Sequence, residues 1–333
     1  MQMLTVTANE AGQRLDKLLG KYLNQAGKGF LYKMMRKKNI TLNGKKCSGD
    51  ERLSEGDEIR LFLSDETIEK FSSASAGERR RSQSGVRKPC LDIIYEDSHI
   101  LIVNKPAGML SQKAKPEDMS LNEHILNYLI DSGHLPISQL RTFKPSICNR
   151  LDRNTSGLVT AGVSLAGLQI MNGVFKDRSL HKYYRCLVKG QVKEKQLIAG
   201  FLKKDEAANT VTVYPTEAEC SVPILTEYVP ISGNGRITLL QVTLITGRSH
   251  QIRAHLASIG HPILGDSKYG DPRLNDEMRE KYKIRSQMLH SWKLELPEDL
   301  PEPLHYLSGK VFMAPVPGHF QRVMKGEGIA SDS

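Results

Sequence analysis

Two regions of the chain differ in hydrophobic pattern, and the first covers residues 1–65. Five apolar side chains recur there at the spacing of one helix face and predict a first helix: Leu15, Leu18, Leu19, Tyr22 and Leu23. A second short helix is expected from Phe30 to Lys38. Asn43-Gly44 predicts a tight hairpin turn, and Ile59–Leu63 predicts a closing strand. Residues 1–65 are therefore expected to form a small module of helices and strands.

The second region begins at Leu91 and mixes strands with helices. Apolar runs bounded by turn residues predict its strands, at 91–97, 100–103, 182–188, 211–214, 226–229 and 237–245. Helical periodicity predicts helices at 121–130 and 166–175. Gly247 follows the last of these strands and is expected to mark a strand-to-helix turn. The pattern predicts a domain of the α+β class over residues 89–325.

Residues 66–88 separate the two regions and differ from both in composition. Serine, alanine and glycine at 72–77 are followed by Arg79–Arg81 and then by Arg87-Lys88. Few apolar residues are present to form a core, which favours a flexible basic linker. Residues 326–333 are expected to form a short tail.

The overall charge indicates a polyanionic partner. The chain carries 47 Lys and Arg against 37 Asp and Glu, a formal charge of +10, and such an excess favours association with nucleic acid. A membrane partner is not expected, because no apolar run approaches the roughly 18 residues of a spanning helix. Asn9 and Glu10 come too early for a secretory signal peptide, so we expect a cytoplasmic location.

The positive charge is concentrated within the first module. From Lys17 to Gly49 the chain has nine Lys or Arg and no Asp or Glu. Four of these cations cluster on or beside the second predicted helix: Lys33, Arg36, Lys37 and Lys38. A solvated face is one interpretation, but so long a run of one sign repels itself unless an anion docks there. We therefore expect these four residues to contact RNA phosphates.

Asp152 is the candidate for chemistry in the second region. It lies between Arg150 and Arg153 in a stretch that ends in Thr-Ser-Gly, which favours a turn over a regular helix. An Asp flanked by two cations is either part of a surface ion pair or a carboxylate kept ionised for a reaction. The residues alone leave both interpretations open.

Neither a metal site nor a disulfide is expected. His250, His255 and His261 lie within twelve residues, but their spacings do not match His-Glu-x-x-His, and no Cys or carboxylate completes a ligand set. The five cysteines are odd in number and scattered, and we expect them to be reduced and buried: Cys47, Cys90, Cys148, Cys186 and Cys220.

Three motifs in the second region resemble those of the RluA-type pseudouridine synthases. Residues 149–158, Asn-Arg-Leu-Asp-Arg-Asn-Thr-Ser-Gly-Leu, are similar to the catalytic stretch of that family. Residues 104–108, Asn-Lys-Pro-Ala-Gly, are similar to its first motif, and residues 246–255, Thr-Gly-Arg-Ser-His-Gln-Ile-Arg-Ala-His, to a later one. The chain departs at Asn149, where His is usual, and at Gln112-Lys113, where a His-Pro pair is common.

The resemblance implies a role for particular residues. The catalytic Asp of the family falls on Asp152, its partner arginine on Arg253 and its active-site tyrosine on Tyr184. Residues 288–292 are similar to the closing strand of the family, whose apolar residue below the bound base falls on Leu289. Arg150 would fill the base stack left by a flipped uridine, and Arg248 is a further expected RNA contact.

The same resemblance implies a fold and a reaction. The fold would be a mixed, mainly antiparallel sheet with flanking helices. The reaction isomerises uridine in RNA to pseudouridine, with Asp152 either attacking C1′ or removing the C2′ proton. It needs no cofactor, which agrees with a sequence that carries no nucleotide or metal motif.

The amino-terminal module resembles the S4 RNA-binding domain through Arg-Leu-Asp at 14–16, Asn-Gly-Lys at 43–45 and Gly-Asp at 56–57. An S4-like module followed by a synthase domain resembles the RluC and RluD branch and implies ribosomal RNA of the large subunit as substrate. Transfer RNA is an alternative substrate, and a non-catalytic RNA-binding or ribosome-assembly protein is an alternative function. We expect the protein to be a monomer.

Overall fold

The computed structural model describes residues 1–7, 9–72 and 91–330. Its helices are α1 to α8, in chain order: Leu15–Tyr22, Lys28–Arg36, Asp65–Phe71, Leu121–Asp131, Leu165–Asp177, Gln251–Ser258, Pro272–Tyr282 and Gly318–Gly326. Its strands are β1 to β15, in chain order: Gln2–Thr5, Ile40–Leu42, Lys45–Lys46, Glu58–Leu61, Ile93–Glu96, Ile100–Lys105, Ser146–Ile147, Ser156–Gly162, His181–Lys189, Gln196–Asp205, Thr210–Tyr214, Val222–Gly233, Ile237–Leu244, Leu289–Glu295 and Val311–Met313. Both helices and a large mixed sheet are present, so the predicted α+β class is confirmed.

The chain divides into two compact units. The first unit comprises Met1–Cys90, His124–Ser146 and Gly162–Leu168, and the second comprises Leu91–Glu123, Ile147–Ala161 and Gln169–Ser333. The first unit thus groups more of the chain than the predicted module. The extent of an S4-like domain over residues 1–65 stays a prediction.

The first unit contains a four-stranded sheet in the order β1-β4-β2-β3. Both predicted helices and the hairpin form: Asn43 and Gly44 adopt the positive φ angles, 51° and 71°, that a tight β2–β3 turn requires. The apolar face of α1 is buried in the core of this unit, as its spacing predicted. The second helix ends at Arg36, two residues earlier than predicted, because Lys38 takes a left-handed conformation with φ of 60°.

The expected linker does not begin as flexible chain. Ser64 caps helix α3, since its hydroxyl accepts a hydrogen bond from the Thr67 N–H, and Ile68 is buried in the core of the first unit. The prediction overlooked this helix because a single buried apolar residue leaves almost no periodic pattern. The rest of the predicted linker, residues 73–88, lies outside the described part of the chain.

The second unit is built on an eleven-stranded sheet. Nine strands follow the order β11-β10-β12-β13-β9-β14-β8-β6-β5, while β15 pairs with β14 and β7 with β8. The recorded pairings are antiparallel except that of β14 with β8, which is parallel. Every residue of β8 is buried, as expected for a strand in the interior of a sheet.

Gly157 lies where β8 pairs with β14, at the end of the Asp152 loop, and this position requires glycine. It has a φ of 112°, and a Cβ built there would lie 2.1 Å from the Ser291 carbonyl oxygen. Strand β8 can approach β14 this closely only without a side chain. The Thr-Ser-Gly sequence therefore ends the Asp152 loop and starts β8 against its parallel partner.

Several other expectations need correction. Strand β10 and helices α7 and α8 were not predicted. The tail expected from residue 326 is packed rather than loose: Ile329 is buried and Ser232 donates a hydrogen bond to the Ala330 carbonyl; residues 331–333 lie outside the described part. Cys47 and Cys186 are buried as expected, whereas Cys148 is only partly buried and Cys220, in a turn at positive φ, is exposed; Cys90 lies outside the described residues.

Candidate active site

A cavity of about 850 Å3 opens in the second unit. It is lined by the loop around Asp152, by the start of β9, by the turn that leads into α6 and by Leu289 of β14. Ten Lys or Arg line it, and Asp152 is the only carboxylate among the described lining residues. A cavity with this charge favours a polyanion, and the single carboxylate stands out as the candidate reacting group.

Asp152 is held by an arginine that is itself held by a second carboxylate. Arg253 Nη1 donates to Asp152 Oδ2 at 2.9 Å. The same guanidinium donates from Nε and Nη2 to the two carboxylate oxygens of Asp266, at 2.7 and 2.8 Å. This fork of two parallel hydrogen bonds fixes the plane of the guanidinium. Arg253 consequently presents its remaining nitrogen to Asp152 in one orientation.

The surroundings of Arg253 and Asp266 keep both of these side chains charged. Burial opposes ionisation of Asp266, but the hydrogen bonds and the charge of Arg253 outweigh it and lower the pKa of Asp266 below its usual value. Burial likewise opposes the charge of Arg253, and the two carboxylates reverse that effect and raise its pKa. The Asp152 side chain is 27% exposed. It is therefore the only carboxylate of the two that solvent or a ligand can reach.

The loop that carries Asp152 is braced from below by the Asn-Lys-Pro-Ala-Gly segment. Lys105 is fully buried, and its ammonium donates to the carbonyls of Pro106, Met109 and Arg153. Burial lowers the pKa of Lys105 to about 7, an effect that the charge of Asp152 opposes. Ser111 Oγ donates to the Leu151 carbonyl and accepts from the Leu151 N–H. These hydrogen bonds join residues 151 and 153, on either side of Asp152, to residues 105–111.

Asn149, which stands where His is usual, forms two hydrogen bonds to the backbone of β8. Its side-chain amide donates to the Leu158 carbonyl at 3.2 Å and accepts from the Thr160 N–H at 2.8 Å. The amide thus ties the start of the Asp152 loop to strand β8. Gln112 and Lys113, the second departure, line the cavity.

Tyr184 and Leu289 line the same cavity. Both are buried, with exposed fractions of 6% and 4%. Tyr183 is on the opposite face of β9, where its hydroxyl donates to Glu295, in keeping with the alternation of side chains along a strand. Burial raises the pKa of Tyr184 to about 12, so its hydroxyl keeps its proton at neutral pH.

The remaining predicted RNA contacts are all exposed. Arg150 and Arg248 lie at the cavity, on the Asp152 loop and on the turn before α6. Four cations of the first unit are exposed around the end of α2: Lys33, Arg36, Lys37 and Lys38. Among the described residues none of these six side chains forms a salt bridge, so each is accessible to an anionic ligand.

The three histidines do not converge. His250 Nε2 lies 3.9 Å from Asp152 Oδ2, and its Nδ1 is hydrogen-bonded to the Tyr269 hydroxyl. His255 is buried against Thr226, and His261 contacts the Lys189 carbonyl. No group of three or more His, Cys, Asp or Glu in the described ranges is arranged to hold a metal ion.

Comparison with known proteins identifies the domain that carries this cavity. The sequence profile of a family described as RNA pseudouridylate synthase matches residues 99–258. Ribosomal large subunit pseudouridine synthase C of Vibrio vulnificus is 29% identical over 297 residues, 87% of this chain and 87% of that protein. Ribosomal large subunit pseudouridine synthase D of Nitrosomonas europaea is 29% identical over 299 residues, 88% of this chain and 79% of that protein. Residues 99–258 thus match the RNA pseudouridylate synthase family, and the similarity to these two synthases extends over most of the chain.

The fold of this synthase is also similar to that of solved structures. Human RNA Pseudouridylate Synthase Domain Containing 4 aligns with a TM-score of 0.57 and 19% identity, covering 72% of this chain and 94% of that chain. Human RNA Pseudouridylate Synthase Domain Containing 1 aligns with a TM-score of 0.51 and 22% identity, covering 75% of this chain and 100% of that chain. These structures agree with the α+β fold described above. No helix in the described ranges is both long and apolar enough to span a membrane.

Asp266, Lys105 and His250 were assigned no role from the sequence of this synthase. Lys105 lies within the Asn-Lys-Pro-Ala-Gly motif and Asp266 lies eleven residues after the 246–255 motif, yet only the structure shows that they hold the Asp152 loop and Arg253. His250 was considered only as a metal ligand. A signal for Asp266 was present, since a buried arginine near a carboxylate nucleophile leaves spare donors that require an acceptor.

Proposed function

We propose that this synthase isomerises uridines in large-subunit ribosomal RNA to pseudouridine, with Asp152 as the reacting carboxylate. The observation that carries the proposal is the Asp152–Arg253 pair, with its 2.9 Å contact, in a cavity lined by ten cations. The choice of ribosomal RNA rests on the names of relatives that align with 84–89% of the chain. We further propose that the protein acts as a cytoplasmic monomer.

The isomerisation exchanges one bond for another at the same sugar carbon. The N1–C1′ bond of uridine breaks, the base rotates, and C5 bonds to C1′, while the proton leaves C5 and one is gained at N1. Two roles are chemically open to Asp152: attack on C1′ or removal of the C2′ proton. Either requires an ionised carboxylate, to which the Arg253 guanidinium donates a hydrogen bond at 2.9 Å. A substrate deuterated at C2′ distinguishes the roles, because only the second breaks that bond.

The remaining cavity residues would hold a uridine that has left its base stack. Flipping a base costs a few kcal/mol, which contacts in the pocket must offset. We assign the Tyr184 ring to stacking on the base and Leu289 to excluding water beneath it. Arg150 is exposed on the Asp152 loop, where its planar guanidinium could fill the vacated stack. Arg248 is assigned to the RNA backbone.

The substrate assignment is tested by mapping pseudouridines in total RNA from cells with and without the gene. We expect one or more large-subunit ribosomal positions to lose the modification in the deletion strain and to regain it with the wild-type gene. Loss confined to transfer RNA would move the substrate to that class. Unchanged modification in every RNA would contradict the proposed function.

The cations around the end of α2 are proposed to neutralise RNA phosphates. Each lost phosphate contact should reduce the log–log salt slope of binding by about 0.7–0.9. The variant replaces Lys33, Arg36 and Lys37 with Ala and Lys38 with Asn, because Asn tolerates the positive φ at that position. We expect weaker RNA binding with a flatter salt dependence, measured by titration at several salt concentrations. Turnover at saturating RNA should stay within about threefold of wild type.

A control with the same loss of charge separates local contact from net charge. It neutralises four cations of the second unit that are paired with carboxylates: Lys189, Lys195, Arg236 and Arg279. The control should retain most of the wild-type salt slope. If both variants flatten the slope equally, the cluster around α2 is an ordinary solvated face.

A further inference from the structure

One cation in the cavity has a position that the roles assigned so far do not explain. Lys182 lies at the start of β9, two residues before Tyr184, and lines the cavity with it. Alternate residues of a strand share a face, so the two side chains are about 7 Å apart along the same wall. Tyr183 between them is on the other face and hydrogen-bonds Glu295.

The surroundings of Lys182 are unusual for a lysine. Its side chain is half-buried, and an ideal Cβ at Gly247 would lie 3.7 Å from Nζ, so the ammonium lies over the bare backbone of the turn before α6. No salt bridge to Lys182 occurs among the described residues. Arg178 lines the same cavity, and burial followed by repulsion from that cation lowers the pKa of Lys182.

The dipole of helix α5 accounts for the positions of Lys176 and Arg178, but it does not account for the position of Lys182. Lys176 is in the last turn of α5 and Arg178 follows its end, where the helix dipole favours cations. Lys182 is on a strand, where no such field acts. Keeping a half-buried ammonium in the same cavity as a guanidinium is unfavourable in the free protein unless an anion binds between them. The arrangement therefore indicates a ligand with negative charge.

We infer that Lys182 and Arg178 form a binding site for one phosphodiester of the substrate RNA, directly adjacent to the reacting uridine. The inference rests on the proposed function, since it places the reacting sugar at Asp152 and its base against Tyr184. A ribose that reacts at C1′ carries phosphates on its 5′ and 3′ oxygens, within a few bonds of the reacting carbon. Lys182 is the cation on the same wall as Tyr184 and can receive one of them.

The phosphate contact would position the sugar rather than take part in the bond exchange. A point charge held about 7 Å from the stacking tyrosine fixes the distance between backbone and base. The contact also offsets part of the free energy that flipping the base costs. Lys182 is therefore a positioning residue, and its loss should affect binding of RNA more than the rate of the bound complex.

The test combines a protein variant with a change in one phosphate. Lys182→Met keeps the length of the side chain and removes its charge, and Lys182→Arg keeps the charge. The probe is a short RNA around a uridine that the wild-type enzyme modifies in a large-subunit ribosomal transcript. It is made with natural phosphates and with a neutral methylphosphonate either 5′ or 3′ of that uridine. Affinity and single-turnover rate at saturation are measured for each pair.

We expect one of the two methylphosphonates to weaken wild-type binding about tenfold. Lys182→Met should weaken binding of natural RNA by a similar factor and reduce the salt slope by about 0.7–0.9. The affinity of this variant should no longer change when that methylphosphonate replaces the natural phosphate. Lys182→Arg should stay close to wild type, and all saturating rates should stay within about threefold. Lys189→Met is the matched control, because Lys189 is on the same strand and paired with Asp271; it should respond to the methylphosphonates as wild type does.

Two results would overturn the assignment. One is a Lys182→Met enzyme that responds to both methylphosphonates as strongly as wild type. The other is a large fall in the saturating rate with unchanged affinity, which would put Lys182 in the chemistry. Thermal unfolding shows whether Lys182→Met is folded, and if it is not, Lys182→Gln takes its place. An error in the proposed substrate is detected separately, because the wild-type enzyme would then leave the ribosomal transcript unmodified. In that case the probe is taken from the RNA that the enzyme does modify.

Discussion

Asp152→Asn is expected to reduce pseudouridine formation by on the order of 10^4-fold or more, the scale seen when an enzyme loses its reacting group. The substitution removes the negative charge and keeps the shape of the side chain. An amide can neither attack C1′ nor accept the C2′ proton, so the loss is expected for both chemical roles. Single-turnover formation of pseudouridine at saturating RNA measures the effect directly.

The structure predicts that this variant remains folded and binds RNA. Arg253 keeps both hydrogen bonds to Asp266, with contacts of 2.7 and 2.8 Å, so no buried charge loses its partner. RNA affinity should be equal to or slightly above that of wild type, since a carboxylate is removed from a cationic cavity. Asp276→Asn, at an exposed position in α7, is the matched control and should leave turnover unchanged. Substantial turnover by purified Asp152→Asn would refute the assignment.

The sequence predicted the central pair of the site but not the residue that fixes it. Asp152 and Arg253 are separated by 101 positions, and only resemblance brought them together before the structure did. Asp266 was assigned no role, because nothing in its local sequence indicates that this carboxylate is buried. Its burial, with 1% of its surface exposed, depends on tertiary packing that no local pattern describes.

The missed elements lacked the periodic patterns on which prediction depends. Helix α7 is mostly charged and buries only Leu274 and Met278, so a hydrophobic stripe is almost absent. Its Asp271-Pro272 start is nevertheless a recognisable cap followed by Pro at the first turn. Strand β10 has Gly200 at its centre and exposed residues at both ends, which hides the alternation of a strand.

Asn149 shows how a departure from a motif acquires meaning only in the structure. Its amide has one donor and one acceptor directed at adjacent strand atoms, Leu158 O and Thr160 N. An amide can satisfy both at once because it carries a carbonyl and an NH2 group. The sequence showed that the usual His was missing, whereas the structure shows what the replacement does for the Asp152 loop.

Arg253→Lys is expected to lower the saturating turnover rate by at least about 100-fold, the scale associated with losing one donor to a reacting group. Lysine keeps the positive charge but offers a single nitrogen. It cannot reproduce the fork to Asp266 and the 2.9 Å contact to Asp152 together. The buried carboxylate of Asp266 should hold the ammonium, so that Asp152 loses its oriented partner.

Lysine is chosen rather than alanine so that a loss of turnover can be distinguished from unfolding of the variant. Arg253→Ala would leave Asp266 buried without a counter-charge, which typically costs about 3–5 kcal/mol of stability, and lost activity would then be ambiguous. Arg253→Lys should retain RNA affinity and a cooperative thermal transition while turnover falls. Arg279→Lys, in an exposed ion pair with Asp276, provides the matched control and should behave as wild type. A folded Arg253→Lys enzyme with turnover within about threefold of wild type would mean that Asp152 does not depend on the orientation of Arg253. The Asp266–Arg253 fork would then serve stability alone.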